Sequence, residues 1–507
     1  MNGSGDVLGY EVTLERLTDY QSLLTAAKLL QAENAALVKM VQKLKARLAQ
    51  LEGKEAVQLQ LQIEELESEL ARQRKKVFGD KTEQRKQAES SKPASEQPQR
   101  GHGRREQPQL PLVEQIHTSD SELACSVCGG ELQPWPEQFE ESEEIDVIER
   151  QFVITKHRRQ KYRCSCGGCI QTAPGPRKLF DAARYSVGFA VHVAMAKYAD
   201  HLPLERQVRT MHRDGLTVDS QTLWDQIDAL AKLLAPAHDR LQQYVLSQPV
   251  IGADETYWRL MGEKGKREGG DGKRWQAWAV VAPDAVCYRI EDSRSSEAAK
   301  KLLGSYSGIV ITDGYSGYSS LKKQGARFRL AHCWAHVRRK FVDLEEQHPN
   351  ECKQVLDWIA ELYAIESELR GVPPDVRLNT RQARSRPILV ALQNWALNTL
   401  ALPESALGKA IAYMGGVWEG LRVFLDDPNV ELDNNRSERA LRGVVLGRKN
   451  YYGSRSRRGT EVAALLYSLI ESAKLADIEP RAYLIAAINA ALSGNTIPLP
   501  HEIAARD

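Results

Sequence analysis

The sequence has no long apolar segment and few cysteines for its length. No hydrophobic stretch approaches the roughly 20 residues that a membrane-spanning helix needs. Residues 1–10 lack the basic and then apolar pattern of a secretion signal. Eight cysteines in 507 residues are too few for a disulfide-stabilised scaffold, so we expect a soluble, intracellular protein. The formal net charge is only +2 and indicates no class of partner, whereas the length predicts about two to four domains.

A heptad repeat of leucine predicts a coiled coil over residues 14–77. The d positions are Leu23, Leu30, Leu37, Leu44 and Leu51. Asn34 is the one polar residue at an a position, and such a residue fixes the register of two-stranded parallel coiled coils. The repeat resumes at Leu59 after a break at Gly53. We therefore expect self-association, with a helix that packs on its own protein as the alternative.

Residues 78–111 are predicted to be a flexible basic linker. Between Arg72 and Arg105, eleven basic residues stand against four acidic ones, in a background of Gln, Ser, Pro and Gly. Such a segment is either a solvated tether or a loose contact for phosphates.

Five of the eight cysteines cluster and predict a zinc ribbon over residues 112–175. They are Cys125, Cys128, Cys164, Cys166 and Cys169. The first two form a Cys-x-x-Cys knuckle followed by glycines, and the other three compete for two places in a second knuckle. Two knuckles supply the four thiolates of a structural Zn²⁺ site. Spacing favours Cys166 with Cys169, and unligated or redox-active cysteines are the alternative.

Residues 180–246 are predicted to form a helical DNA-binding region. The pattern indicates a helix over Val187–Tyr198, a turn at Pro203 and a further apolar helix face from Leu223 to Leu234. The segment Arg213–Thr222 resembles the junction of a helix-turn-helix, and a plain corner between two helices is the alternative.

Two short apolar runs are each predicted to be a strand that ends on an aspartate, namely Asp254 and Asp313. Neighbouring strands would hold the two carboxylates a few ångströms apart, which is tolerable only if a cation neutralises them. Oxygen ligands favour Mg²⁺ or Mn²⁺, and the chemistry is then two-metal phosphoryl transfer. The alternative is an aspartate that caps a turn, for which Asp313-Gly314 is a common sequence.

The order of elements predicts an α/β core over residues 247–475 with a helical insertion at about 341–430 and a helical tail at 476–507. The expected elements are a strand to Asp254, strands Trp275–Ala282 and Ala285–Glu291, a helix Ser296–Leu303, a strand to Asp313, and a strand Arg327–Ala331 after a further helix. Three antiparallel strands followed by strands that alternate with helices form the ribonuclease-H-like order. In that order the first and fourth strands are neighbours.

A third carboxylate must then come from a helix that packs back on the sheet. Glu438 lies about one turn into a helix that Asp433 or Asn434 could cap. The alternative role of Glu438 is an i,i+4 ion pair with Arg442.

Downstream of Glu438 the sequence predicts a cationic loop. Residues 436–458 contain eight basic residues and one acidic residue, with tyrosines between them. This composition suits a DNA phosphate backbone, and a solvated face is the alternative. The predicted DNA contacts are Arg448, Lys449, Arg455, Arg457 and Arg458.

In this order the motifs resemble the transposases of the insertion-sequence-66 family over nearly the full chain. The matching stretches are the two cysteine knuckles and Phe78–Glu83, Lys197–Gln207, Ala253–Thr256, Thr312–Tyr315, His332–Phe341, Asn434–Arg442 and Gly447–Asn450. The resemblance implies a DDE core in which Asp254, Asp313 and Glu438 bind Mg²⁺ (or Mn²⁺). It also implies a Cys-x-x-His element at Cys333 and His336. The family's second knuckle follows a tyrosine, and this favours Cys164 and Cys166 as zinc ligands.

The function that the resemblance implies is transposition. The enzyme would cut double-stranded DNA at the terminal repeats of its element and join the ends to target DNA. Expected partners are a second copy of the chain, or a larger assembly, and companion proteins of the element. The expected location is the bacterial cytoplasm, at the nucleoid and not at a membrane. The alternatives are a metal-dependent nuclease without strand transfer and a catalytically inactive zinc-ribbon regulator.

Overall fold

The computed structural model describes residues 151–163, 170–180, 183–261 and 273–504, together with Ile63. Apart from Ile63, the predicted coiled coil and the linker lie outside the described residues, as do all five clustered cysteines. Of the predicted ribbon, the structure describes a short antiparallel pair, β1 (Lys161–Arg163) with β2 (Ile170–Thr172).

A five-stranded mixed sheet lies at the centre of the described part of the chain. Its strands are β3 (Val250–Leu260), β4 (Lys273–Val281), β5 (Val286–Glu291), β6 (Ile309–Thr312) and β7 (Arg329–His332). The spatial order is β5-β4-β3-β6-β7. The pairs β5–β4 and β4–β3 are antiparallel, and the pairs β3–β6 and β6–β7 are parallel. The prediction that the first and fourth strands are neighbours is confirmed by the pairing of β3 with β6.

The parallel strands are buried on both faces. Val310 and Leu330 belong to one hydrophobic core, whereas their neighbours Ile311 and Ala331 belong to a second core. Successive side chains of a strand point to opposite faces. Short, continuous apolar runs such as Ile309–Thr312 are typical of strands with helices on both sides.

The first five helices of the described chain share a hydrophobic core with this sheet. They are α1 (Val187–Tyr198), α2 (Leu204–Arg213), α3 (Ser220–Ser247), α4 (Ser296–Leu303) and α5 (Ser316–Lys323). The helix predicted at Val187–Tyr198 is confirmed, and it begins where the Ser186 hydroxyl accepts a hydrogen bond from the Phe189 amide at 3.2 Å. The apolar face of α3 from Leu223 to Leu234 is buried in the same core as the sheet. Region 180–246 therefore shares its hydrophobic core with the strands.

The segment predicted as a helical insertion is helical, and its first helix begins at Trp334. Its elements are α6 (Trp334–Val342), α7 (Pro349–Glu368), α8 (Pro374–Thr380), a π-helical turn (Arg381–Ser385), α9 (Arg386–Asn398), α10 (Ala406–Leu421) and a 3₁₀ turn (Val423–Leu425). Together they enclose the second core, which contains Trp334, Phe341 and Trp418. The break predicted near Pro373 separates α7 from α8.

Four helices complete the described chain, namely α11 (Asn435–Tyr451), α12 (Arg457–Leu475), α13 (Pro480–Leu492) and α14 (Pro500–Ala504). The prediction of a cationic loop after Glu438 is wrong, because most of that stretch is helical and only residues 452–456 form a turn. Gly453 has φ 134° and approaches the Arg259 carbonyl so closely that a Cβ atom would lie 2.1 Å from it. Across the described residues, no helix is long and apolar enough to cross a membrane.

Candidate active site

Asp254 and Asp313 lie level with each other on neighbouring parallel strands. The last β3–β6 pair in register is Gly252 with Ile311, and each aspartate lies two residues further along its own chain. Neighbouring strands are about 4.8 Å apart, and side chains two residues apart share a face. The fold therefore brings the two predicted carboxylates together at one edge of the parallel pairing.

The prediction that Asp254 ends its strand is wrong. Asp254 is paired with Ala279 of β4, and the antiparallel pairing continues to Leu260 opposite Lys273. The neighbour on the other side, β6, stops at Thr312. Asp254 therefore lies where β3 keeps one partner strand and loses the other, which opens one side of the backbone to a ligand.

The Asp254 carboxyl group has a strongly perturbed pKa. Burial is the largest cause, and repulsion from Glu255, Asp313 and Glu438 adds to it, so the pKa rises to about 7 from 3.8. A carboxylate that burial and three like charges destabilise is stabilised by a bound cation. Carboxylate oxygens are the ligands that Mg²⁺ and Mn²⁺ prefer, so these residues fit such an ion.

Asp313 also caps the turn that follows it, as the alternative interpretation suggested. Its Oδ1 accepts a hydrogen bond from the Tyr315 amide at 2.8 Å, and Gly314 has φ 91°. The Tyr413 hydroxyl, from α10 of the insertion, donates to the Asp313 carbonyl at 2.9 Å. The turn and the insertion together fix the orientation of this carboxylate.

Glu438 reaches the site because α11 packs directly on β3. The Asn434 side-chain amide donates to the Ala253 carbonyl at 3.1 Å. Gly252 makes this approach possible, since a Cβ atom there would lie 2.2 Å from the Ser437 Oγ. The expectation that a helix packs back on the sheet is confirmed, and Asn434 occupies the N-cap position of that helix.

The Glu438 carboxylate faces His336 rather than Arg442. Its Oε1 lies 3.7 Å from His336 Nε2. Ligand atoms of Cys333, His336 and Glu438 all lie within 4.8 Å of one another. The Cys-x-x-His element is thus adjacent to the predicted third carboxylate.

Sequence reasoning missed Glu255 as a member of this acidic region. Its side chain is 1% exposed and forms an ion pair with Arg294 at 2.5 Å. The Tyr318 hydroxyl donates to its second oxygen at 3.3 Å. Burial raises the pKa of Glu255, and the hydrogen bond from Arg294 opposes that rise. Its position next to Asp254 in an apolar strand was the sequence signal for it, because a second buried carboxylate needs a partner of opposite charge.

The five predicted DNA contacts have different environments. The Arg448 guanidinium donates to the Tyr257 carbonyl and lies over the Tyr257 ring. Arg458 pairs with Asp228 at 2.7 Å, and Arg457 lies over the Trp275 ring. Lys449 and Arg455 are exposed, and neither has an ion-pair partner among the described residues. These last two are the members most available to an external phosphate.

Comparison with known proteins identifies two family domains. Residues 182–462 match the family described as "Transposase IS66 family", and this range contains all three candidate carboxylates and the Cys-x-x-His element. Residues 122–167 match the "zinc-finger binding domain of transposase IS66". The second range includes Cys125, Cys128, Cys164 and Cys166 and ends before Cys169.

Three similar proteins come from Sinorhizobium fredii (strain NBRC 101917 / NGR234). The uncharacterized protein y4jD is 36% identical over 406 residues, which cover 76% of this chain and 78% of that protein. The uncharacterized protein y4qI is 30% identical over 363 residues, which cover 68% of this chain and 66% of that protein. The uncharacterized protein y4hP is 28% identical over 385 residues, which cover 71% of this chain and 69% of that protein. The family match spans more than half of the chain, and the chain therefore belongs to the IS66 family of transposases, which are DNA-processing enzymes with a zinc-finger domain.

Proposed function

We propose that this protein is a DNA transposase that cuts at the ends of its insertion sequence and joins them to target DNA. The observation that carries the proposal is that Asp313 and Glu438 lie close enough to Asp254, at the edge of the parallel strands, to raise its pKa. The strand order β5-β4-β3-β6-β7 supports a ribonuclease-H-like core of the DDE type. The family match supports DNA as the substrate.

In this proposal the three carboxylates hold two Mg²⁺ or Mn²⁺ ions. When bound, such ions activate a water or a DNA 3′-hydroxyl and stabilise the leaving oxygen. The protein's part is to hold the ligands in place. Asp254 is fixed by the pairing of β3 with β4, Asp313 by its turn and Glu438 by the Gly252 contact. The chemistry then needs neither a protein nucleophile nor ATP.

The remaining parts are proposed to hold DNA and to pair protomers. Lys449 and Arg455 contact phosphates close to the end of β3, where the 452–456 turn is attached. Cys125 and Cys128, with two of Cys164, Cys166 and Cys169, bind one structural Zn²⁺ in the ribbon. The ribbon and helices α1–α3 hold the element ends, and the coiled coil brings two ends together.

The test is cleavage and joining of the element's own ends with Mg²⁺ or with EDTA. Wild-type protein should cut and join only with the metal. Glu438→Gln keeps the shape of the side chain and removes its charge, so turnover should fall by orders of magnitude while DNA binding persists. Glu431→Gln and Glu461→Gln are matched controls, because these glutamates pair with Arg436 and Arg458 at the surface.

Each outcome decides between the proposal and its alternatives. Cleavage without joining to a target plasmid would indicate a nuclease. DNA binding without cleavage by the wild type would indicate an inactive regulator. Loss of turnover in a control, with normal turnover in Glu438→Gln, would exclude Glu438 as the third ligand.

A further inference from the structure

Cys333, His336 and Glu438 form a side-chain cluster with ligand types that differ from those of the magnesium site. Cys333 is the N-cap residue of α6, and His336 follows one turn later in the same helix. Glu438 comes from the first turn of α11. One ligand atom from each lies within 4.8 Å of the others. Sulfur, nitrogen and oxygen thus converge from two helices.

The Cys333 sulfur accepts a hydrogen bond from a backbone amide of the helix that carries Glu438. The donor is the amide of Asn434, the N-cap residue of α11, at 3.2 Å from Sγ. Cys333 is itself the N-cap residue of α6. Backbone N–H groups at a helix N-terminus stabilise the negative charge of a thiolate, which is the form of cysteine that binds a metal.

The Glu438 oxygen in this cluster lacks a hydrogen bond. Glu438 Oε1 is buried and has no hydrogen-bond partner in the part of the chain that the structure describes. The ring nitrogen that faces it, His336 Nε2, is 3.7 Å away, which is too long for a hydrogen bond. A buried carboxylate oxygen without a donor costs free energy unless a cation is bound to it.

We propose that Cys333, His336 and Glu438 bind one Zn²⁺ ion that is distinct from both the catalytic ions and the zinc of the ribbon. A thiolate, an imidazole and a carboxylate form a common ligand set for Zn²⁺, whereas Mg²⁺ prefers oxygen alone. Three protein ligands leave one tetrahedral position for water. The two oxygens of Glu438 then serve different ions, with Oε1 on the zinc and the other available to Mg²⁺. This last point rests on the proposed function, and the zinc site itself does not.

The test is the metal content of the full-length protein, purified and dialysed without chelator. Wild type should hold about two zinc ions per chain, one in the ribbon and one at Cys333. Cys333→Ser and His336→Asn should each hold about one, and so should Cys125→Ser, which removes only the ribbon ion. Cys352→Ser is the matched control, because Cys352 is also a buried free cysteine and lies in α7.

Substitution with Co²⁺ gives a second readout. The difference spectrum between wild type and Cys333→Ser should contain a thiolate-to-cobalt charge-transfer band, and the difference between wild type and Cys352→Ser should not. If thermal unfolding shows that Cys333→Ser is not folded, His336→Asn replaces it in the test. This variant keeps the sulfur, and its zinc content per chain shows whether the second ion is lost. Equal zinc content in wild type, Cys333→Ser and His336→Asn would overturn the inference.

The zinc site and the proposed function fail in different ways. If zinc content does not change but Glu438→Gln abolishes strand cleavage, the zinc site is excluded and the catalytic proposal stands. If Cys333→Ser loses one zinc while Glu438→Gln cleaves normally, the site is a metal centre and Glu438 is not a catalytic ligand. Stoichiometry is therefore measured independently of DNA cleavage.

Discussion

Arg381 makes two parallel hydrogen bonds to the Glu366 carboxylate, each 2.7 Å long, inside the helical insertion. The same guanidinium donates to the carbonyls of Phe424, Asp427 and Val430 at 2.7–3.0 Å. These carbonyls belong to the segment that leads into α11. The buried arginine thus ties the insertion to the chain that delivers Glu438.

We predict that Arg381→Met lowers the free energy of unfolding by about 3–5 kcal/mol, since it leaves a half-buried carboxylate unpaired and three carbonyls without their donor. Glu366→Gln should cost less, because the carbonyl bonds remain. Urea denaturation measures both. Arg384→Met is the control, since its pair with Glu368 is exposed and its loss should have little effect. Equal losses for Arg381→Met and Arg384→Met would contradict the prediction.

A second prediction concerns Gly252, where β3 touches α11. A methyl group at this position would lie 2.2 Å from the Ser437 Oγ. Gly252→Ala should therefore displace the first turn of α11, with a loss of about 1–3 kcal/mol in stability and weaker Mg²⁺ binding at Glu438. Thermal unfolding with and without Mg²⁺ measures both effects.

The matched rescue for Gly252→Ala is Ser437→Ala. The Ser437 Oγ is buried and has no hydrogen-bond partner among the described residues, so its removal alone should cost little. In the double variant the new methyl group would lie 3.0 Å from the Asn434 Oδ1, which must shift by a few tenths of an ångström, and 3.6 Å from the Ser437 Cβ, an ordinary contact distance. The double variant should recover most of the stability and Mg²⁺ response. No recovery would mean that the contact does not position α11.

The sequence predicted the strands and that the first and fourth of them are neighbours, because apolar runs and turn residues are local signals. It did not predict that β3 continues past Asp254. That continuation depends on β4, a partner supplied from later in the chain. The role of Gly252 was also hidden, since nothing near it in sequence shows that Ser437 will lie against it.

The charge pattern of the sequence showed where basic residues cluster, but not which residues they contact. The basic stretch after Glu438 was correctly identified as cationic, yet Arg448 and Arg458 form their bonds to residues of β3 and α3 that are distant in sequence. In the same way, Arg381 lies in a π-helical turn with the exposed Arg384, and only tertiary structure makes Arg381 buried. A short stretch of sequence does not show which residues, distant along the chain, will contact it in the fold.

The different environments of the basic residues lead to a third prediction. The double variant Lys449→Ala/Arg455→Ala should weaken DNA binding to all sequences alike and reduce the log–log salt slope by about 1.8, or 0.9 for each lost phosphate contact. Titrations of a labelled duplex at several salt concentrations measure the slope.

Arg458→Ala serves as the comparison for this experiment. Its guanidinium is already paired with Asp228 and Glu461, so we expect a small loss of stability and little change in slope. An unchanged slope in the double variant would mean that Lys449 and Arg455 are only a solvated face.

The last prediction concerns the pH dependence of metal binding at Asp254. Burial and the nearby carboxylates raise the folded-state pKa of Asp254 to about 7, whereas its ordinary value is 3.8. Ionisation therefore destabilises the metal-free fold, and stability should fall as the pH rises through this window. Bound Mg²⁺ requires the ionised carboxylate and removes the penalty. The Mg²⁺-induced rise in Tm should therefore be larger at about pH 8 than at about pH 5.5.

Asp254→Asn should be more stable than metal-free wild type at the higher pH and should respond less to Mg²⁺. Asp357→Asn, an exposed change in α7, should behave as wild type. The same Mg²⁺ response at both pH values, in wild type and Asp254→Asn alike, would show that Asp254 is not a metal ligand.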